Sequence, residues 1–70
     1  MRTSFRVTSA ELTATIWINA ELVATIESPG PMAMDRIKGI IWVRGRADPV
    51  LTIETPEEIW DLVDAAMIKL

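Results

Sequence analysis

Apolar and polar positions alternate along most of this chain, and only its C-terminal stretch switches to helical spacing. Phe5 and Val7 alternate with Ser4, Arg6 and Thr8, the two-residue period of a half-buried strand. The alternation lapses around Ala10 to Leu12, which predicts a turn although no glycine or asparagine marks it. Residues 13–19, TATIWIN, resume it with strand-favouring side chains, Ile16 and Ile18 pointing one way and Thr15 and Trp17 the other. Asn19-Ala20-Glu21 reads as a tight connection into residues 22–27, LVATIE, where Leu22, Ala24 and Ile26 would share a face. A short amphipathic helix over 20–27 competes with that strand, since Ala, Glu and Leu are good helix formers. The β-branched Val23, Thr25 and Ile26 favour the strand.

Residues 28–38, SPGPMAMDRIK, must break the ladder, because proline has no N–H to donate and restricts the residue before it. This loop is longer than the usual hairpin connection. Met32 and Met34 on it either plug the edge of the core or ride a flap that closes over a ligand. Residues 39–44, GIIWVR, predict a central strand with Ile41 and Val43 on one face and Ile40, Trp42 and Arg44 on the other. Turn chemistry follows at 45–49, GRADP, and then a last strand at 50–54 in which Leu51 and Ile53 alternate with Val50, Thr52 and Glu54. Thr55 then suits an N-cap, Pro56 the first helical position, and Glu58 the third position of a capping box. Ile59, Leu62, Val63, Ala66 and Met67 continue as one face of a helix.

These elements predict a single α+β domain over residues 1–70: a small, mostly antiparallel β-meander of about five strands with one C-terminal α-helix packed on one face. If the helix covers the face carrying Ile16, Ile18, Ile41, Val43, Leu51 and Ile53, then Trp17, Ile40, Trp42 and Val50 lie on the opposite side. One helix cannot cover both. The second face predicts a homo-oligomer in which sheet packs on sheet, with Trp17, Ile40, Val50 and Trp60 as interface candidates, or a concave pocket lined by tryptophan.

Size sharpens that expectation. A 70-residue chain buries only about 60% of the surface it exposes when unfolded, against a backbone entropy of roughly 1–2 kcal/mol per residue. There is no cysteine for a disulfide and neither cysteine nor histidine for a zinc site, yet half the residues are apolar. A surplus of apolar surface on so small a chain is best buried between copies. Ten acids against seven bases, a net charge of −3, argue against a nucleic-acid backbone as partner. No stretch is long and apolar enough to span a membrane, and MRTSFRVTS has no apolar core of a secretion signal, so the expected location is the cytoplasm.

Catalysis is poorly provided for. Without histidine, cysteine or tyrosine, only carboxylates, Lys38 and Lys69 remain, so no catalytic residue and no cofactor is expected. Glu57, Glu58, Asp61 and Asp64 cluster on the helix, where acids near the N-terminus favour the helix dipole and ordinarily face water rather than a metal. The more telling group is basic and aromatic: Arg36, Lys38, Arg44 and Arg46 flank Trp42. Arginine forks could hold phosphates while the indole stacks on a base, a candidate site for a small anionic nucleotide. The competing reading is a solvated hairpin whose arginine stems cover the indoles or pair with Asp35, Asp48 and Glu54 across subunits.

Two stretches carry a family resemblance. Asn19, Leu22, Val23, Ile26 and Glu27, an Asn followed by an extended segment ending in Ile-Glu, and Glu54, Thr55, Glu57, Glu58 and Ile59, the box that opens the last helix, resemble the short FlbD (SwrD-like) proteins of flagellar and swarming regulation and similar small phage proteins. The resemblance spans about Phe5 to Val63. It implies a regulatory role; taken with the readings above, the expectation is a non-enzymatic intracellular homo-oligomer, a regulatory or structural interaction protein that binds an unidentified protein partner through an edge strand or the helix. The alternative is a phage-type anti-defence sponge that sequesters a nucleotide messenger at pockets between subunits, with the loop at 28–38 closing over it.

Overall fold

Two strands, β1 (Ser4–Thr8) and β2 (Thr15–Asn19), form an antiparallel hairpin in which Phe5 pairs with Ile18 and Val7 with Ile16. This computed structural model describes residues 3–30 and 35–67. The turn between the strands manages without glycine. Thr13 takes a φ of 49° and donates its N–H to the Ser9 carbonyl at 2.9 Å, while Ser9 Oγ accepts the N–H of Leu12 at 3.2 Å. Thr13 is thus a turn residue, and the strand expected from it begins at Thr15.

After β2 the meander is interrupted. Asn19 caps a single 3-10 turn, Ala20–Leu22, its Oδ1 accepting the N–H of Glu21 at 2.9 Å and the hydroxyl of Thr3 at 3.0 Å. Strand β3 (Val23–Glu27) follows and pairs with β4 (Gly39–Val43), which pairs with β5 (Val50–Thr52). The five antiparallel strands therefore form two sheets, β1-β2 and β3-β4-β5. They are tied where β1 runs out: Ser9 bridges Thr52, the N–H of Ala10 donates to the Leu51 carbonyl at 2.8 Å, and that of Ile53 to the Thr8 carbonyl at 3.2 Å.

Register corrects two of the expected faces. Directly paired residues of antiparallel strands point to the same side, and Ile41 pairs with Val50 while Ile40 pairs with Leu51. Since Ile41 is fully buried, Val50 must be buried with it, and Leu51 and Ile53 turn outward, Ile53 being 45% exposed. A one-residue difference in register is enough to exchange the faces of a strand. In β3, a bulge between Val23 and Thr25 leaves Val23 and Ile26 half-buried against the core and Leu22 and Ala24 exposed, so the expected Leu22-Ala24-Ile26 face does not form.

The helix α1 (Pro56–Met67) starts as its cap chemistry dictates: Glu58 N–H donates to Thr55 Oγ1 at 3.2 Å and Thr55 N–H to Glu58 Oε1 at 2.9 Å. Ile59, Val63 and Ala66 are buried against Phe5, Val7, Ile18, Ala20, Ile41 and Val50, forming the core. Leu62 is half-buried and Met67, at the helix end, is exposed rather than part of the buried face. Close approach of the helix start to β4 requires Gly39, where a Cβ would stand 2.5 Å from the Glu54 carbonyl oxygen and 2.6 Å from Ile59 Cδ1. Met32 and Met34, and with them the choice between core plug and flap, lie outside the described residues.

Candidate functional site

The chain's three tryptophans all lie outside its core: Trp17 on β2 is 65% exposed, Trp42 on β4 36% and Trp60 on α1 47%. The core is filled instead by Phe5 and aliphatic side chains. Of the four interface candidates, Trp17 and Trp60 are on the surface and Ile40 is half-buried. Val50 is not available. It is 4% exposed and belongs to the subunit's own core, for the reason of register given above.

The basic and aromatic residues expected around a nucleotide are exposed, but one subunit does not bring them together. Arg36 and Lys38 precede β4, whereas Arg44 and Arg46 belong to the turn that follows it. An extended strand rises about 3.3 Å per residue, so the two basic pairs stand at opposite ends of β4, on the order of 20 Å apart. They cannot grip one phosphate. Adjacent letters in the sequence became distant groups because the segment between them is fully extended.

The two residues closest to the expected chemistry are already engaged. Trp42 Nε1 donates to Glu27 Oε1 at 3.0 Å, which holds a negative charge at the edge of the indole, beside the face on which an anionic ligand would stack. The Arg44 guanidinium donates to the Glu21 carbonyl at 2.8 Å, while the Arg44 N–H bonds the Leu22 carbonyl at 2.8 Å, so this arginine clasps the 3-10 turn to the end of β4. Arg46 closes the β4–β5 turn through its N–H to the Val43 carbonyl at 3.2 Å, with Gly45 supplying a φ of 90° inside that turn.

A different polar site emerges at the junction of the two sheets, and nothing local in the sequence announced it. The N–H of Thr8 donates to both carboxylate oxygens of Glu54, at 3.0 and 3.1 Å. Arg6, Val7, Thr8, Thr15, Glu54 and Leu62 line a surface depression of about 380 Å³ there. Its one engaged carboxylate is consumed by the backbone, which marks a structural joint rather than a binding group. Glu58 is held in the capping box, and among the described residues no cluster of three or more acids could hold a metal ion. No described helix is long and apolar enough to cross a membrane. No protein-family model, no curated protein and no solved structure matches this chain.

Proposed function

We propose that this chain is a small non-enzymatic interaction protein that works as a homo-oligomer, intracellular and regulatory in the manner the FlbD-like motifs imply. The observation that carries this reading is the placement of its indoles, all three on the surface of a 70-residue chain. A domain this small has little apolar area to spare, and tryptophan left in water forgoes about 25 cal/mol for every Å² it could bury. Tryptophan is also the side chain most enriched at the energetic centres of protein interfaces. Leu22, Ile53 and Met67 add further exposed apolar surface. The nucleotide-sponge reading has less support, because the four bases are divided between the ends of β4 and Glu27 sits beside Trp42.

The test is a molar mass by light scattering over a wide concentration range. The expected result is a multiple of the 7.8 kDa subunit. A mass of one subunit at every concentration overturns the proposal. Tryptophan emission titrated with nucleotides and cyclic nucleotides is the companion measurement, and saturable quenching that Trp42→Ala abolishes would put the sponge in its place.

A further inference from the structure

Among the described residues, the open edge of β2 is built as though another strand belonged beside it. Strand β2 has β1 on one side only. The hairpin's bonds identify which groups face outward. Ser9 N–H donates to the Ala14 carbonyl and Ala20 N–H to the Thr3 carbonyl, each at 2.8 Å. Antiparallel ladders alternate in steps of two, so Ile16 and Ile18 spend their backbone groups on β1, and those of Thr15, Trp17 and Asn19 point away from it. The same alternation on β1 leaves Thr8 facing outward, and Thr8 does bond outward, to Glu54 and Ile53.

Natural edge strands are protected by charges, prolines or bulges. Strand β3, one edge of the other sheet, has a bulge between Val23 and Thr25 and ends in Glu27. Strand β2, TIWIN, has no charge, no proline and no register shift. Its side chains also match themselves when reversed. In an antiparallel pairing centred on Trp17, Thr15 meets Asn19 of the second copy, Ile16 meets Ile18, and Trp17 meets its equivalent.

We propose that two copies of this chain pair antiparallel through β2, with Trp17 at the two-fold axis. The proposal rests on the homo-oligomer reading above and specifies where the copies meet. Because Trp17 is an outward-bonding residue, that register is a hydrogen-bonded one, and it gives about four backbone bonds between the copies, with a further pair at the Asn19 carbonyls, which also accept the first bond of the 3-10 turn. The apolar side of the hairpin is extended by Ile16 and Ile18 of each copy, while the two indoles meet on the other side. Electrostatics agree with a second copy as the occupant. Arg6 pairs across from Trp17, so the outer face would read Arg6, Trp17, Trp17, Arg6. The two guanidinium-bearing strands are then three strand spacings apart, roughly 14 Å, beyond the Debye length of about 8 Å at physiological salt.

The test uses Thr15→Pro. Thr15 is the first residue of β2 and its N–H points away from β1, so proline removes an intersubunit donor and sets its ring against the approaching strand. Thr15→Val, which keeps the N–H, is the control. The expected result is association at least about tenfold weaker for Thr15→Pro, with Thr15→Val close to the parent and all three giving the same circular dichroism. Amide exchange of the unmodified protein reads the same point without a variant. The amides of Thr15, Trp17 and Asn19 should slow as concentration rises, while those of Ile16 and Ile18 stay slow throughout. An oligomer in which the Thr15, Trp17 and Asn19 amides exchange freely, or one unaffected by Thr15→Pro, overturns the edge pairing and leaves the homo-oligomer standing. A monomer at every concentration overturns both.

Discussion

Glu54 reaches back across the fold to Thr8, its two carboxylate oxygens sharing that residue's backbone N–H at 3.0 and 3.1 Å. The contact joins the β1-β2 hairpin to the segment that leads into α1, next to the backbone bonds that tie the end of β1 to β5. A hydrogen bond to a charged, half-buried acceptor contributes about 1.5–3 kcal/mol. Glu54→Ala should therefore destabilise the fold by about that much in urea unfolding. Glu54→Gln, which keeps one amide oxygen as acceptor, should lose roughly half; equal losses for the two variants would show that the charge, rather than the bond, matters.

The capping box at the helix start is reciprocal, with Thr55 and Glu58 each satisfying the other's N–H. Thr55→Ala removes the acceptor for Glu58 and should cost about 1 kcal/mol. Thermal melting followed at a helical wavelength is the measurement, and an unchanged midpoint would mean that water serves the cap equally well.

Gly39 has no room to grow. A methyl group would meet the Glu54 carbonyl oxygen at 2.5 Å and Ile59 Cδ1 at 2.6 Å, and the first of these is backbone that cannot step aside. Gly39→Ala should cost about 1–3 kcal/mol or more through overpacking. At Gly45 the same substitution meets no atom within 4 Å and carries only the backbone cost of φ 90°. Denaturation midpoints should therefore rank parent, Gly45→Ala, then Gly39→Ala.

Thr52 is fully buried, and its hydroxyl lies 2.9 Å from the Glu54 carbonyl and 3.3 Å from that of Gly39. One proton cannot serve both fully, and the shorter contact is the principal one. Thr52→Val keeps the shape and removes the donor, leaving a part-buried carbonyl short of a partner at a cost of about 1–3 kcal/mol. Stability equal to the parent would mean that the hydroxyl does nothing a methyl cannot.

What could be read from the sequence was whatever a few neighbouring residues decide among themselves. Thr55, Pro56 and Glu58 define the helix start locally, and the helix begins at Pro56. Alternation located the strands, and the connection expected at Asn19 is capped by Asn19 itself. Relations between distant segments were not readable. Val50 and Leu51 exchanged faces because the pairing of β5 with β4 fixes which side is inward, and the letters of β5 fit either choice. The bulge in β3 is likewise a property of the pair, not of VATIE alone. For the candidate site, proximity in sequence misled: Lys38 and Arg44 frame Trp42 on the page, and β4 holds them at its two ends. The joint between Thr8 and Glu54 is a meeting of two segments with no shared motif.

The helix that covers Phe5 and Val7 is the last element in chain order, and they belong to the first. A ribosome therefore extrudes the N-terminal hairpin long before it can deliver the lid of its core, and a two-stranded hairpin alone is at best marginal in water. Folding is postponed until α1 has emerged, so a translation product halted before Pro56 would leave the exit tunnel with its strands bare and be a substrate for chaperones and proteases.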